Sequence, residues 1–184
     1  MTEVKGGNYE ATSVDGASAT AEVKDTTDTT TVAVTADPAK EGDANVTFHF
    51  QLSNPPQGTA TLTVNVGGKD YTVSVDKDGY GKLDVPNTNG EDAYLDGSKV
   101  TATVTDVKGG NYEATSVDGA SATAEVKDTT DTTTVAVTAD PAKEGDANVT
   151  FHFQLSNPPQ GTTTLTVNVG GQNHTVNIDA SGKG

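Results

Sequence analysis

The stretch "DTTDTTT" occurs at Asp25 to Thr31 and again at Asp128 to Thr134, each time leading into "VAVTADP". Its aspartates, three residues apart in a run of threonines, offer carboxylate and hydroxyl oxygens, the donors that hard cations take. Further carboxylates crowd two loops, "ADPAKEGDAN" at 36–45 and "NTNGEDAYLDGS" at 87–98. If the chain between them is a series of short strands running up and down, both loops return to the pole from which the second "DTTDTTT" departs. Glu41, Asp43, Glu91, Asp92, Asp96, Asp128 and Asp131 then share one small region, where unpaired like charges repel and raise one another's pKa. Only Lys40 stands near enough in sequence to offset them. A divalent cation resolves the conflict, and calcium, which takes about 6–8 oxygen ligands in loose geometry, suits it better than magnesium. At the opposite pole the turn "DKDG", Asp76 to Gly79, falls near the incoming segment with Asp25 and Asp28, a second and weaker candidate site because Asp78 becomes Ser181 in the other copy. Asp and Asn are also common turn formers, so each of these loops reads equally as a solvated cap.

Other chemistry finds little support. His49 and His152 sit at outward positions between the pairs Phe48/Phe50 and Phe151/Phe153, and His174 stands where the other copy has Tyr71, so the histidines form neither a metal cluster nor a triad. Serines are plentiful, but no G-x-S-x-G motif or nucleophile and base spacing accompanies them, and no EF-hand loop is present. With no cysteine, thiolate metal sites and disulfides are excluded. Alternating threonine in "TTTVAVT" and "TLTVNV" offers a hydroxyl array to ice or sugar, and is equally what β propensity favours on a solvated face.

The elements that must position these carboxylates follow from a repeat. Shifting the chain by 103 residues overlays Val4 to Thr59 on Val107 to Thr162 without a mismatch, and 80 positions from Thr2 to Gly81 differ at ten, clustered near one hairpin. A period near 100 residues suits self-standing domains joined end to end, since solenoid units are far shorter. Within one period apolar residues alternate at Val32 to Ala36, Val46 to Leu52, Ala60 to Val66, Tyr71 to Val75, Leu83 to Val85, Val100 to Val104 and Ala120 to Val126, which predicts seven strands and no helix. Gly67 and Gly68 read as a two-residue turn, pairing Val66 with Lys69, Val64 with Tyr71, Leu62 with Val73 and Ala60 with Val75, the apolar pairs on one face. Tyr9 and Tyr112 in "GGNYEAT" are expected to pack over the end of the sandwich, the glycine pairs making the turn. Seven short strands with turns such as "NPPQG" and "VDG" predict an all-β chain of tandem immunoglobulin-like β-sandwich modules, without the cysteine pair and core tryptophan of antibody domains. With "DTTDTTT" as the junction, 28–130 is one complete module, 1–27 holds the C-terminal strands of a truncated predecessor, and 131–184 holds the N-terminal half of a successor. A permuted phase, 2–104 and 105–184, stays open, at the cost of an acidic threonine run inside a domain.

A hydrophobic content of 32% with 5% aromatic residues points to several thin cores rather than one large enzyme core. Lys plus Arg total 11 against 26 Asp plus Glu, and the formal charge of −15 argues against nucleic acid and anionic membrane surfaces as partners. No apolar run approaches the length of a membrane span, and "TEVKGGNYE" after Met1 lacks the charged and apolar regions of a secretion leader.

The run "GGNYEATSVDGASATAEVKDTTDTTTVAVTADPAKEGD", with "DAYLDG" before the sixth strand, resembles the extender repeats of giant RTX adhesins, the type I-secreted surface proteins of Gram-negative bacteria that mediate biofilm and ice attachment. The resemblance spans most of the chain. It implies immunoglobulin-like sandwiches whose linkers bind calcium and hold a ligand-binding tip away from the cell, with neighbouring repeats of the chain as partners and no small-molecule substrate. It implies Asp25, Asp28, Asp128 and Asp131 as junction ligands, with Glu41, Asp43, Glu91, Asp92 and Asp96 around them. It implies an extender segment, not the adhesive activity, since the retention region, adhesive tip and secretion signal have no counterpart in these residues. The rival readings are a carbohydrate- or ice-binding module that is itself the adhesive domain, a hydrolase, and a spacer whose stability ignores calcium.

Overall fold

A computed structural model describes residues 3–184. Met1 and Thr2, with which the 1–27 segment and the permuted phase begin, lie outside the described residues. Among the described residues every regular element is a β-strand.

The strands between 29 and 127 are β1 (Thr29–Ala36), β2 (Ala39–Lys40), β3 (Asn45–Leu52), β4 (Ala60–Val66), β5 (Lys69–Val75), β6 (Tyr80–Pro86), β7 (Ser98–Gly109), β8 (Ala114–Ser116) and β9 (Ser121–Lys127). They form a four-stranded sheet in the order β6-β3-β1-β8 and a five-stranded sheet in the order β2-β9-β7-β4-β5. Strict alternation of apolar residues gives each sheet one greasy face. Val46, Phe48, Phe50 and Leu52 of β3 meet Leu62, Val64 and Val66 of β4, Val104 of β7 and Val126 of β9 in one core, the arrangement of a β-sandwich. Apolar burial of this kind supplies most of the stabilisation, at about 1.5–3 kcal/mol for each fully buried large aliphatic or aromatic side chain.

The pairing expected across Gly67–Gly68 is present residue for residue, from Val66↔Lys69 to Ala60↔Val75. The two glycines have φ of 58° and 84°, the left-handed pair that a two-residue hairpin turn requires. All seven expected strands form, and two more appear. β2 and β8 are two and three residues long, too short to carry a periodicity, and both are held by parallel pairing, β2 to β9 and β8 to β1. Between β1 and β2 the chain changes sheets across Asp37 and Pro38, so that β1 lines one sheet while β2 starts the loop of Glu41 beside the end of β9. β7 is longer than its apolar pattern: Thr63 faces Asp106 and Val64 faces Val104, leaving Thr105 as a bulge.

The flanking copies behave differently. Residues 3–28 repeat the sequence of β8 and β9 but contain turns and no strand. β9 is held between β7 and β2, and residues 3–28 have no such neighbours to pair with. Val126 in β9 is 1% exposed while its sequence twin Val23 is 93% exposed. Tyr112 packs at the edge of the core as expected, its twin Tyr9 being exposed. Downstream, β10 (Val135–Ala139) pairs with β11 (Phe151–Leu155), and β12 (Thr163–Val169) with β13 (Gln172–Ile178). Their small core is built on Phe153, Leu155 and Ile178, and Val135 and Val137 remain exposed.

Candidate metal centre

Three segments meet where β9 ends. β2 delivers Glu41, whose N–H continues the ladder by donating to the Lys127 carbonyl at 2.9 Å. The β6–β7 loop is tied to the same place by Asn87, whose Nδ2 donates to the Lys40 carbonyl at 3.1 Å, and by the Gly42 N–H, which donates to the Asn89 carbonyl at 3.0 Å. Gly42 has φ of 74°, and a Cβ there would stand 2.9 Å from a Glu91 carboxylate oxygen, so glycine lets the two acidic loops close on each other. Asn89 Nδ2 in turn holds the Asp96 carbonyl at 3.1 Å. The third segment is the outgoing linker, Asp128 to Asp131.

Glu41 is 3% exposed. Its Oε1 accepts from the Thr129 N–H at 2.6 Å and from the Thr129 hydroxyl at 2.8 Å. The same hydroxyl lies 2.5 Å from Glu91 Oε1. One hydroxyl hydrogen cannot serve both carboxylates, so one of these oxygen contacts lacks a proton. Glu41 Oε2 and Asp128 Oδ1 are buried and have no hydrogen-bond partner among the described residues. Glu41, Asp96 and Asp128 each bring one oxygen within 4.8 Å of the others, and so do Glu41, Glu91 and Asp131. Glu41 belongs to both groups. No ion pair among the described residues involves any of these five carboxylates, and each group is fit to hold a metal ion.

The protonation of the pair follows from these contacts. Thr129, through its backbone N–H first and its hydroxyl second, holds the Glu41 carboxyl below its ordinary range. Burial first, and the Glu41 charge second, push Asp128 above its own. The two shifts run in opposite directions, toward a proton held on Asp128 and a charge held on Glu41. A carboxyl raised on folding stabilises the fold in its protonated form, and that contribution is lost as pH rises through the folded pKa. Metal-free protein is accordingly expected to melt at a higher temperature as pH is lowered from 7 toward the upper edge of the carboxylate range. Further acidification reverses the trend as Glu41, Asp76, Asp84, Glu125 and Asp179, all held below their ordinary values, lose their ionised-state hydrogen bonds. Calorimetric melts of metal-free wild type and Asp128→Asn across this range check it; the variant should lose the initial rise.

The remaining acidic residues singled out in the sequence are engaged elsewhere. Asp43 Oδ2 accepts from the Lys40 N–H at 2.7 Å and Asp92 Oδ1 from the Tyr94 N–H at 2.8 Å, both closing their own turns. Asp76 Oδ1 accepts from the N–H groups of Asp78 and Tyr80, both at 2.9 Å, which shapes the β5–β6 turn. Asp25 caps the adjacent Thr26 N–H. Asp28 donates its backbone N–H to Glu113 Oε2 at 2.6 Å. None of these five belongs to either carboxylate group. Thr129 at this centre, and Glu113 at the incoming linker on the opposite pole, are the contacts that sequence reasoning missed. Thr129 is hidden because it is one of many threonines in its run, and Glu113 because it lies in "GGNYE", away from any acidic cluster.

A family model described as the LapA domain matches residues 28–129. No curated protein and no solved structure matches the chain.

Proposed function

The chain belongs to the LapA domain family, an adhesin family and not an enzyme family, and on that premise we propose that it is a structural extender segment of a bacterial surface adhesin. In this reading the 28–130 sandwich is one complete immunoglobulin-like module of an RTX-type array, secreted by the type I route to the cell surface. The array projects an adhesive tip for biofilm or surface attachment. Its partners are neighbouring repeats of the same chain, with no nucleic acid, membrane insertion or small-molecule substrate.

The observation that carries the reading is the buried, unpaired Oε2 of Glu41, beside an equally unpaired Asp128 oxygen, at the root of the linker. A buried charge without a partner is expensive, and a cluster of them requires a compensating positive charge. All donors are oxygens, which favours calcium over the metals that prefer nitrogen or sulfur. Glu41, Glu91, Asp96, Asp128 and Asp131 would hold it. Calcium supplies, when bound, the charge that lets these carboxylates stay close. Glu41 and Thr129 then fix the linker to the rim of the sandwich, and the β6–β7 loop is held against both. With the charges unbalanced, the rim and the linker repel and the linker bends. The repeat adds a further participant. Asp28 is the twin of Asp131, and Glu113 of the 28–130 sandwich accepts from its N–H, which ties the incoming linker to the sandwich as Glu41 ties the outgoing one.

Small-angle scattering of the whole chain tests the reading. Moving from calcium to chelator should change the maximum dimension, and Asp128→Ala with Asp131→Ala should give the chelated profile even in calcium. Identical profiles in all three states would sink it.

A further inference from the structure

Between the two carboxylates that the β6–β7 loop brings to the acidic groups, Glu91 and Asp96, stand Tyr94 and the almost fully exposed Leu95. The Tyr94 hydroxyl donates to the carbonyl of Pro158, in the "NPPQ" turn of the following repeat. Ala93 and Tyr94 there close a cavity of about 280 Å³ against Thr133, Leu155, Asn157 and Gln160.

The repeat supplies a second view of the same surface. Thr133, Asn157, Pro158 and Gln160 are the twins of Thr30, Asn54, Pro55 and Gln57, which line an open groove of about 500 Å³ on the incoming face of the 28–130 sandwich. In that groove the Tyr112 hydroxyl donates to the Asn54 carbonyl at 3.1 Å, and among the described residues no hydrogen bond reaches the carbonyl of Pro55. The proline turn thus offers two adjacent acceptors. In the 28–130 sandwich Tyr112 takes the first of these, the Asn54 carbonyl; in the following repeat Tyr94 takes the twin of the second, the Pro158 carbonyl. Both prolines lack an N–H, so the turn presents carbonyls with little competing donation.

We propose that the Asn54–Gln57 groove is a receptor for the Tyr94 loop of the preceding repeat, and that Tyr94 is a latch whose position is set by cation binding at Glu91 and Asp96. The occupant is a second copy of this module, because the Tyr94 loop of one copy already lies against the twin turn, Asn157 to Gln160, of the next. The coupling is mechanical. Asp92 caps the Tyr94 N–H, so the tyrosine rides on a turn flanked by both of these carboxylates. Drawing Glu91 and Asp96 toward Glu41 carries Tyr94 toward the next module; releasing them frees it. This rests on the calcium reading above, and its test separates the two.

The experiment uses the 184-residue chain with Tyr94→Phe and Tyr94→Ala. Calcium titration calorimetry is read beside ¹⁵N relaxation of the 29–127 and 135–178 segments. Wild type in calcium is expected to tumble as one body and in chelator as two. Tyr94→Phe should bind calcium as wild type does, yet lower the docked-to-undocked ratio about fivefold through the lost hydrogen bond. It should also shift the amide resonances of Gly161 and Gln160. Tyr94→Ala should abolish the calcium-dependent coupling. Normal calcium binding with unchanged tumbling in Tyr94→Ala overturns the latch and leaves the calcium reading standing. Absence of calcium heat in wild type overturns the calcium reading and the coupling together. Unchanged Gln160 and Gly161 resonances in Tyr94→Phe overturn the docking contact itself.

Discussion

Withdrawing calcium is expected to lower the melting temperature of the sandwich built by β1 to β9 by roughly 10 °C. Extracellular calcium modules bind at about 10⁻⁴–10⁻³ M. At about 5 mM calcium and the tighter end of that range, linkage adds about 2 kcal/mol to the folded state. In a domain near 100 residues each kcal/mol moves the midpoint by about 4–8 °C. The effect has this size because the ion removes an existing penalty as well as adding contacts: Glu41 Oε2 and Asp128 Oδ1 are buried without partners and lie in one carboxylate group. Differential scanning calorimetry in calcium, then chelator, then restored calcium is the check. Superimposable melts would show that the loops are solvated caps and that stability ignores the ion.

Replacing Glu41 by glutamine is expected to abolish the calcium increment completely, a larger loss than any other single change in the cluster. Glu41 is common to both carboxylate groups, whereas Asp131 serves one. The substituted amide retains an oxygen for the Thr129 N–H and hydroxyl, so the linker root keeps its hydrogen bonds. Its amide hydrogens then face Asp128, whose oxygen now gains a donor. Glu41→Gln in chelator should therefore melt no lower than wild type in chelator, while calcium no longer raises it. Asp131→Asn should keep part of the increment. A Glu41→Gln variant that still gains the full increment would move the ion away from this cluster; one that melts far below chelated wild type would make Glu41 a structural residue instead.

The fold was legible where a single period dominates. The Gly67–Gly68 turn fixes its register because both residues must adopt positive φ, and one slipped residue would turn Leu62 and Val64 to solvent. β2 and β8 carry no such signal, since two or three residues cannot show alternation and their pairing comes from tertiary neighbours. Strand direction alone sent Glu41, Asp43, Glu91, Asp92, Asp96, Asp128 and Asp131 to one pole, and five of these seven stand in the two carboxylate groups. Which carboxylates join was not legible, because Asp43 and Asp92 have the same composition around them but spend their oxygens on adjacent backbone N–H groups. Thr129 was invisible for a related reason. Its role depends on the chain's direction as it leaves β9, which a run of threonines does not encode.

Val23 and Val126 share their sequence surroundings and differ in exposure by nearly the full range. A segment identical in sequence to β9, Ala17 to Lys24, thus stands outside the sandwich. Nothing in side-chain chemistry lets the slot beside β7 tell the two apart, since Ala17 to Lys24 and Ala120 to Lys127 are the same eight residues. Only tether length discriminates. The resident strand closes from Thr103 to Ser121, about 18 residues, and the rival Ser18 is about 85 away. Closure entropy gives the resident roughly a tenfold advantage. Near-identical copies in one chain therefore carry a hazard of strand exchange, kept in check by proximity and order of folding rather than by recognition.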